Sequence, residues 1–312
     1  MSFASETKTE LAKIEAKQDC CRLAECYGIW LFSRCFTLKP AYYVTETAAV
    51  PVKMAELAAA CAGVQAEIRY AVSRRQKKAY RIQLLDDNAR QGLLAVFGAT
   101  GKEPNLRINR ANLADSCCFS AFLRGVFLSC GSVTDPGKEY HLEFSVPYQK
   151  LSSDLVTLLT EVEEPVLTPA VSMRKGSYVV YLKDSRQIED FLTYLGASAA
   201  SMQLMQVKMY KEMKNDINRK ANFETANMDK TYSASARQIA AIAKISDEMG
   251  LDRLPADLYQ LAQLRLNNPE MSLRELAEKL GITRSGVNHR MQKILEIGEK
   301  LGDASDLKIV SF

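Results

Sequence analysis

The chain has 312 residues, of which 47% are hydrophobic and 25% charged, the balance of an ordinary folded globular protein. This length predicts two or three domains. The net charge of +4 is too small to indicate a nucleic-acid partner by itself, so only the positions of the charges can indicate one.

The N-terminal residues, MSFASETK, lack the apolar segment of a secretory signal, and no apolar run approaches the ~20 residues that a membrane helix needs. We therefore expect a cytoplasmic protein whose eight cysteines are thiols. No two cysteines form a C-x-x-C pair and the chain has only two histidines, so neither a zinc site nor a His-rich metal site is predicted. Most cysteines are expected to be small buried hydrophobes. The alternative is a redox or partner-metal role for the cluster from Cys20 to Cys26.

An internal repeat organises the first two thirds of the chain. Ala24–Phe36 aligns with Ala121–Val133, and Tyr80–Gly98 aligns with Tyr178–Gly196, at offsets of 97 and 98 residues. Each copy predicts an apolar helix, a strand, a helix, two strands and a helix. The alternative is two unrelated α+β pieces with an accidental similarity.

The apolar helices are predicted near Cys21–Ser33 and Ser116–Ser129, and both are hydrophobic almost all round, as interior helices are. Gly28 and Gly125 take equivalent places in them, which predicts a close helix–helix approach with the two glycines facing each other across a pseudo-twofold axis. The predicted strands lie near Phe36–Thr45, Val64–Ser73, Lys78–Leu85, Tyr140–Val146, Pro165–Val171 and Ser177–Lys183.

A basic turn lies in the first copy, where residues 69–81 carry six basic residues and no acid. Such a turn could neutralise several DNA phosphates. A solvated turn without a ligand has the same composition, so the interpretation stays open. The secondary DNA-contact candidates here and at the equivalent turn of the second copy are Arg74, Arg75, Lys77, Lys78, Arg174 and Lys175.

The segment Leu123–Gly131, LRGVFLSCG, resembles the helix motif of the LAGLIDADG homing endonucleases. In active members an acid near the end of this motif binds the metal for phosphodiester cleavage. Cys130 stands in that place here, and Ser33 stands there in the first copy. Neither is a hard carboxylate suited to Mg²⁺, so we expect a homing-endonuclease-like scaffold with no catalytic residues, no metal and no cofactor.

A long helical region is predicted over about 200–218 and again over 233–248. Between them, residues 219–232, RKANFETANMDKTY, are rich in Asn, Thr and Lys. Flexible linkers favour Gly, Ser or Pro, so this segment is expected to be an ordered joint. Arg219 and Lys230 are its candidate phosphate contacts.

The strongest local pattern is a helix-turn-helix near the C-terminus. Ser272 and Glu275 form a capping box, Gly281 supplies the turn, and Thr283 or Ser285 can cap the second helix. The apolar seam is expected to comprise Leu276, Leu280, Ile282, Val287, Met291 and Ile294.

The second helix, about Arg284–Leu295, has no acid before Glu296, and its Arg, Asn and Gln side chains can contact base edges in a major groove. Arg290 stands where such motifs usually have an apolar residue. A helical hairpin used only for packing is the alternative. The candidate DNA-binding residues of the motif are Ser272, Arg274, Thr283, Arg284, Ser285, Asn288, His289, Arg290, Gln292 and Lys293.

Taken together these segments resemble the WhiA family of bacterial DNA-binding regulators almost end to end. The resemblance is carried by MSFASETKTEL at the start, by the Asp19-Cys20-Cys21 step, and by residues 122–136, 218–231, 264–281 and 284–294. It departs in the first copy, where Arg34-Cys35 replaces the expected Gly-Ser. The resemblance implies an α+β two-repeat LAGLIDADG-like domain followed by an all-α helix-turn-helix domain, with boundaries expected at 1–110, 111–218, 219–232 and 233–312.

The same resemblance implies a sequence-specific transcriptional regulator that binds double-stranded DNA at the nucleoid, acts in sporulation or in cell division and chromosome segregation, and has a possible partner regulator protein. Two other classes stay open. One is a metal-dependent DNA endonuclease, which would need carboxylates at Ser33 and Cys130. The other is a protein-interaction scaffold whose contact with DNA is secondary.

Overall fold

A computed structural model describes residues 2–72 and 78–306, without the side chains of Ala71 and of residues 302–306. It divides into two compact units, Met1–Lys211 and Glu212–Phe312. None of the helices in the described part combines the length and the hydropathy of a membrane span.

The N-terminal unit contains both copies of the predicted repeat. It starts with α1 (Phe3–Ala12), and the first copy comprises α2 (Asp19–Leu31), β1 (Tyr43–Thr45), α3 (Ala49–Ala62), β2 (Ala66–Val72), β3 (Lys78–Leu84) and α4 (Asp87–Val96). After a short 3-10 helix, Arg110–Asn112, the second copy comprises α5 (Ser116–Cys130), β4 (Gly131–Val133), β5 (Leu142–Val146), α6 (Gln149–Glu161), β6 (Ala170–Arg174), β7 (Ser177–Leu182) and α7 (Ser185–Leu195). The predicted order of elements is confirmed, with β4 as an addition.

Each copy forms one antiparallel sheet, with strand orders β1-β3-β2 and β4-β5-β7-β6. Two strands differ from the prediction. The first strand is shortened to Tyr43–Thr45, after Pro40, and the strand expected from Pro165 begins only after Pro169. Proline has no N–H for the ladder, which explains why neither strand extends through it.

Helices α2 and α5 pack backbone to backbone at the centre of the unit. A Cβ atom on Gly28 would lie 2.3 Å from the Phe122 carbonyl oxygen, and one on Gly125 would lie 2.3 Å from the Glu25 carbonyl oxygen. No other residue fits at that separation. The predicted close approach is confirmed. The glycines contact the opposite helix at Phe122 and at Glu25 and Ile29, and not at each other as the sequence predicted.

The cysteines are less uniformly buried than the sequence suggested. Cys26, Cys35 and Cys118 are buried, whereas Cys117 is exposed. The partly exposed ones are Cys20, Cys21, Cys61 and Cys130. The expectation that most cysteines are small buried hydrophobes is therefore confirmed for only three of them, and it is wrong for Cys117, which lies in the first turn of α5 at the surface.

The segment expected as a joint is helical. Helix α8 (Ser198–Glu248) runs unbroken for 51 residues and includes residues 219–232. All residues from 212 to 230 are exposed, and the segment contains neither Gly nor Pro to end the helix. Its polar composition therefore reflects a solvated helix surface.

The C-terminal unit has a core of its own. The last part of α8 is followed by a short 3-10 helix, Leu251–Arg253, and then by α9 (Ala256–Asn267), α10 (Leu273–Leu280) and α11 (Arg284–Asp306). The four α-helices contribute buried apolar residues to one cluster, among them Ile242, Ile245, Leu258, Leu261, Leu276, Val287, Met291 and Ile294.

Candidate nucleic-acid interface

The start of α10 is fixed by the predicted capping box. The Ser272 hydroxyl accepts from the Glu275 amide at 3.3 Å, and the Glu275 carboxylate accepts from the Ser272 amide at 2.7 Å. These hydrogen bonds to Ser272 lower the pKa of Glu275. The Ser272 side chain thus has a structural task besides any contact with DNA.

The turn between α10 and α11 depends on Gly281 and Thr283. Gly281 has φ +64°, and its amide donates to the Glu278 carbonyl at 3.3 Å. The Thr283 hydroxyl then accepts from the Gly286 amide at 3.1 Å. Of the two predicted caps, Thr283 therefore begins α11, and Ser285 is left exposed on the helix surface.

One face of α11 is buried and anchors it. Val287 and Ile294 are fully buried, and Met291 is 1% exposed, which confirms the part of the predicted seam that lies on α11. Leu276 is also buried, whereas Leu280 and Ile282 are partly buried. Further along, a Cβ atom on Gly298 would lie 3.0 Å from that of Ala241 on α8. The helix is therefore held along most of its length against α8, α9 and α10.

The opposite face of α11 presents polar side chains to solvent. None of them forms a hydrogen bond or an ion pair with another residue in the part of the chain that the structure describes. They are Arg284, Ser285, Asn288, His289, Gln292 and Lys293. Because the first acid of the helix is Glu296, the N-terminal half of α11 presents positive charge with donors and acceptors for base edges.

Arg290 and Arg274 differ from that group. The Arg290 Nε lies 3.3 Å from an Asp257 carboxylate oxygen on α9, and the arginine side chain is 29% exposed. The Arg274 Nε lies 3.5 Å from Glu278 on the surface of α10. An acid on the protein therefore already pairs with each of these cations.

A groove of about 640 Å³ separates the middle of α11 from α8. Asn288, Gln292 and the acids Glu296 and Glu299 line the α11 side, and Arg237 and Lys244 line the other. Arg237 and Lys244 are not among the candidates predicted from the sequence, although their spacing of 7 residues within the predicted helix 233–248 places them on one helix face.

The same face of α8 continues towards the N-terminus. Arg219, Lys230, Arg237 and Lys244 follow one another at spacings of 11, 7 and 7 residues. On a helix with 3.6 residues per turn these spacings return to within about 20° of one direction. The predicted phosphate contacts Arg219 and Lys230 thus lie on the helix face that borders the groove.

The basic candidates of the N-terminal unit are only partly described. Arg74, Arg75 and Lys77 lie outside the described residues. Lys78 is exposed at the start of β3. Arg174 lies 3.7 Å from Glu143, and Lys175 is exposed in the β6–β7 turn with φ +49°.

The two positions where active LAGLIDADG enzymes have acids lie at the ends of the central helices. The Ser33 hydroxyl donates to the Trp30 carbonyl at 2.7 Å and accepts from the Cys35 amide at 3.2 Å. Arg34, which replaces the expected glycine, has φ +68°, so the backbone keeps the conformation that glycine favours.

At the other helix end, burial raises the pKa of the Cys130 thiol to about 12. Lys8 lies close enough for its charge to act on that thiol, and burial lowers the pKa of Lys8 to about 8. Ser33 and Cys130 line one pocket together with Arg34, and none of the described residues lining it is a carboxylate. A second pocket, which shares Gly131 with the first, is lined by Lys8, Lys78 and Glu46. This donor set is poor in hard oxygen ligands and brings positive charge to the place where a divalent ion would bind.

Two family models match parts of the chain, the second copy of the repeat and the C-terminal unit. A family model described as the WhiA LAGLIDADG-like domain matches residues 119–214, and the model of the WhiA C-terminal HTH domain matches residues 217–298. The chain belongs to the WhiA family. The match to the HTH domain includes α10 and most of α11 and extends back into α8.

Relatives in this family match over nearly the whole chain. A protein of Ruminiclostridium cellulolyticum named "Probable cell division protein WhiA" is 36% identical over 310 residues, which cover 96% of this chain and 98% of the relative. One of Alkaliphilus metalliredigens with the same name is 37% identical over 314 residues, with the same coverage. The crystal structure of full-length WhiA from Thermotoga maritima superposes with a TM-score of 0.58 at 25% identity, covering 96% of this chain and 99% of that one.

The family assignment fixes the broad role of the C-terminal unit. Its helix-turn-helix is a WhiA DNA-binding domain, and the N-terminal unit has the LAGLIDADG-like fold that accompanies it in this family.

Proposed function

We propose that this WhiA-family chain is a sequence-specific DNA-binding regulator that inserts the N-terminal half of α11 into a major groove. The observation that carries the proposal is the division of α11 into two faces. One face is anchored in the core by Val287, Met291 and Ile294, while the other presents an acid-free polar surface.

The exposed side chains suit different tasks. Arg284, Asn288 and Gln292 can form bidentate hydrogen bonds with guanine or adenine edges, so they are the proposed base readers. Lys293 and His289 lie further round the same surface and suit phosphates or base edges. The complete proposed contact set of the motif is Ser272, Arg274, Thr283, Arg284, Ser285, Asn288, His289, Arg290, Gln292 and Lys293.

The basic face of α8 supplies the proposed backbone contacts. Arg237 and Lys244 line the groove beside Asn288 and Gln292, so a duplex held by α11 would bring its phosphates towards them. Arg219 and Lys230 extend the same face. Phosphate contacts of this kind position a reading helix and raise affinity without reading sequence.

The biological setting follows from the relatives, which are named as cell division proteins. We infer that this chain acts on chromosomal sites that control cell division and chromosome segregation, or sporulation where the host forms spores. Regulation of transcription is the proposed mode, since the same helix-turn-helix geometry serves promoter binding.

We further propose that the LAGLIDADG-like core does not cleave DNA. The support is the donor set at the ends of α2 and α5, where Ser33 and Cys130 replace carboxylates and Lys8 adds a cation. Incubation with plasmid and Mg²⁺ should leave supercoiled DNA intact. Cleavage that disappears in a Cys130→Ala variant would overturn this part.

The deciding experiment is genome-wide footprinting of the full-length chain and of an Arg284→Ala/Asn288→Ala variant. The variant should lose the preferred sites while circular dichroism shows an unchanged helical content. Lys300→Ala is the matched control, because it removes an exposed cation from the same helix beside Glu296 and Glu299. Preferred sites that survive in the double variant would refute the assignment of α11 as the reader.

A further inference from the structure

Four cysteines from the two repeats converge at one end of the central helix pair. Cys20 and Cys21 lie in the first turn of α2, and Cys117 and Cys118 lie in the first turn of α5. All four Sγ atoms lie within 4.8 Å of one another. The two pairs occupy equivalent positions of the repeat, so the pseudo-twofold relation between α2 and α5 brings them together. We call this group the cysteine cluster.

The separation of the sulfur atoms is close to that of a single tetrahedral ion. Zinc binds thiolates at about 2.3 Å, which places the four sulfurs of a tetrahedron about 3.8 Å apart. Small rotations of the cysteine side chains therefore suffice to reach that geometry from separations of at most 4.8 Å. An iron–sulfur cluster places several irons and sulfides between its thiolates and needs them further apart.

We propose that the cysteine cluster binds one Zn²⁺ ion through four thiolates. Binding displaces the four thiol protons to solvent, so four Cys–SH groups and Zn²⁺ become a Zn(S–Cys)₄ centre of charge −2 and four H⁺. The amide groups at the N-terminal ends of α2 and α5 supply partial positive charge next to this anionic centre.

Gln18 lies next to the proposed zinc ligands and can form hydrogen bonds with them. Its side-chain oxygen accepts from the thiols of Cys20 at 3.5 Å, Cys21 at 3.7 Å and Cys117 at 3.2 Å. Rotation of the amide by half a turn presents its NH₂ group to the thiolates that metal binding creates. Such hydrogen bonds orient metal ligands and strengthen binding.

The absence of C-x-x-C pairs concealed the cluster in the sequence. Each copy supplies only an adjacent Cys-Cys pair, and the two pairs are 97 residues apart. The ion would join α2 to α5 at the end opposite Ser33 and Cys130. It would thereby tie the two copies together across a long loop, an effect that favours the folded state of the core.

The test uses the full-length chain purified under reducing conditions. Elemental analysis should find about one zinc per chain after gel filtration with a thiol reductant. Replacement by Co²⁺ should produce the thiolate charge-transfer band and the visible bands of a tetrahedral site. Iron with inorganic sulfide, or a chain purified without metal that takes up no zinc when zinc is added, would overturn the proposal.

Variants separate a specific site from general thiol binding. Cys117→Ser changes an exposed ligand and should keep the fold, and chelator competition should show a loss of zinc affinity greater than the about 10–100-fold typical of outer partners. The zinc affinity of Gln18→Ala should be about 10-fold lower than that of the parent chain. Cys61→Ser, a partly exposed thiol outside the cluster, should bind zinc like the parent chain. If Cys61→Ser loses as much zinc affinity as Cys117→Ser, or if Cys117→Ser loses none, the cysteine cluster is not the zinc site.

Stability gives an independent readout. Trp30 is the only tryptophan and is fully buried on α2, so its fluorescence reports the unfolding of the N-terminal unit. Zinc should raise the urea midpoint of the parent chain and of Cys61→Ser but not that of Cys117→Ser. A midpoint that zinc leaves unchanged in the parent chain contradicts the proposed link between α2 and α5.

Discussion

Arg124 of α5 donates two hydrogen bonds to the carboxylate of Glu25 on α2, through Nε at 3.1 Å and Nη2 at 2.8 Å. Glu25 is fully buried and Arg124 is 7% exposed. Lys53 of α3 lies 4.0 Å from the same carboxylate and donates to the Ile14 carbonyl at 2.6 Å. The apolar helix pair thus contains a charged cluster in which one acid faces two cations.

Removal of that acid should be costly. Glu25→Gln leaves Arg124 and Lys53 buried without a counter-charge, and we expect the free energy of unfolding of the N-terminal unit to fall by about 3–5 kcal/mol. Urea unfolding followed by Trp30 fluorescence measures this free energy. Glu25→Leu/Arg124→Met should recover much of the loss, and Arg69→Ala, at the exposed pair with Glu67, should change nothing measurable. An unchanged free energy of unfolding in Glu25→Gln would contradict the role of this buried charged group.

The glycines of the central helices give a second prediction. Gly28→Ala or Gly125→Ala places a methyl group against a backbone carbonyl of the opposite helix, so the helices must separate. We expect a loss of about 1–3 kcal/mol or more in the same unfolding experiment. Gly92→Ala on α4 is the matched control, because its new methyl meets only a Val64 side-chain methyl at 3.2 Å. Similar midpoints for all three variants would argue against the close backbone contact.

Local patterns in the sequence were sufficient for much of this fold. The repeat and the apolar character of both segments predicted α2 and α5, and the capping box with Gly281 predicted the ends of α10. The strand expected from Pro165 was misplaced because Pro169, which has no N–H to donate to the ladder, lies within the predicted range, and β6 begins only after it.

Properties that depend on distant residues were not predictable. The cysteine cluster needs ligands from two copies of the repeat, and the pairing of Arg290 needs an acid on α9. The helical state of residues 219–232 was missed for another reason: a helix that is solvated on all sides has no apolar periodicity to reveal it.

Arg290 should contribute less to DNA binding than Arg284. Its guanidinium is partly buried beside Asp257, so contact with DNA requires it to give up an ion pair. Arg290→Ala should therefore weaken binding to a preferred site less than Arg284→Ala does. A double-mutant cycle with Asp257→Asn, measured by fluorescence anisotropy, isolates the coupling. Equal losses for the two arginines, without coupling to Asp257, would contradict this ranking.

The basic face of α8 should appear in the salt dependence. If Arg237 and Lys244 contact phosphates, each alanine variant should reduce the slope of log K against log salt by about 0.9 in magnitude. The loss of affinity should be similar for preferred and unrelated DNA sequences. Lys300→Ala should keep the parent slope. Unchanged slopes for Arg237→Ala and Lys244→Ala would show that these residues of α8 do not contact the phosphates.

Arg265 should stabilise the turn before α10. Its side chain is 2% exposed, its Nη1 donates to the Met271 carbonyl at 2.6 Å, and burial lowers its pKa. Arg265→Met keeps the apolar bulk but leaves that carbonyl without its donor, a loss of about 1–3 kcal/mol. Hydrogen–deuterium exchange of α10 should accelerate accordingly. Arg253→Met, at an exposed position, serves as control, and unchanged exchange in Arg265→Met would contradict the prediction.

The charge of α11 changes sign along its axis, from Arg284 at its start to Glu296 and Glu299 in its second half. Under the proposed mode of binding, phosphates attract the leading end and repel the trailing end. The helix therefore has a fixed polarity of docking and a limit to its depth of insertion, both set by electrostatics before any base pair is recognised.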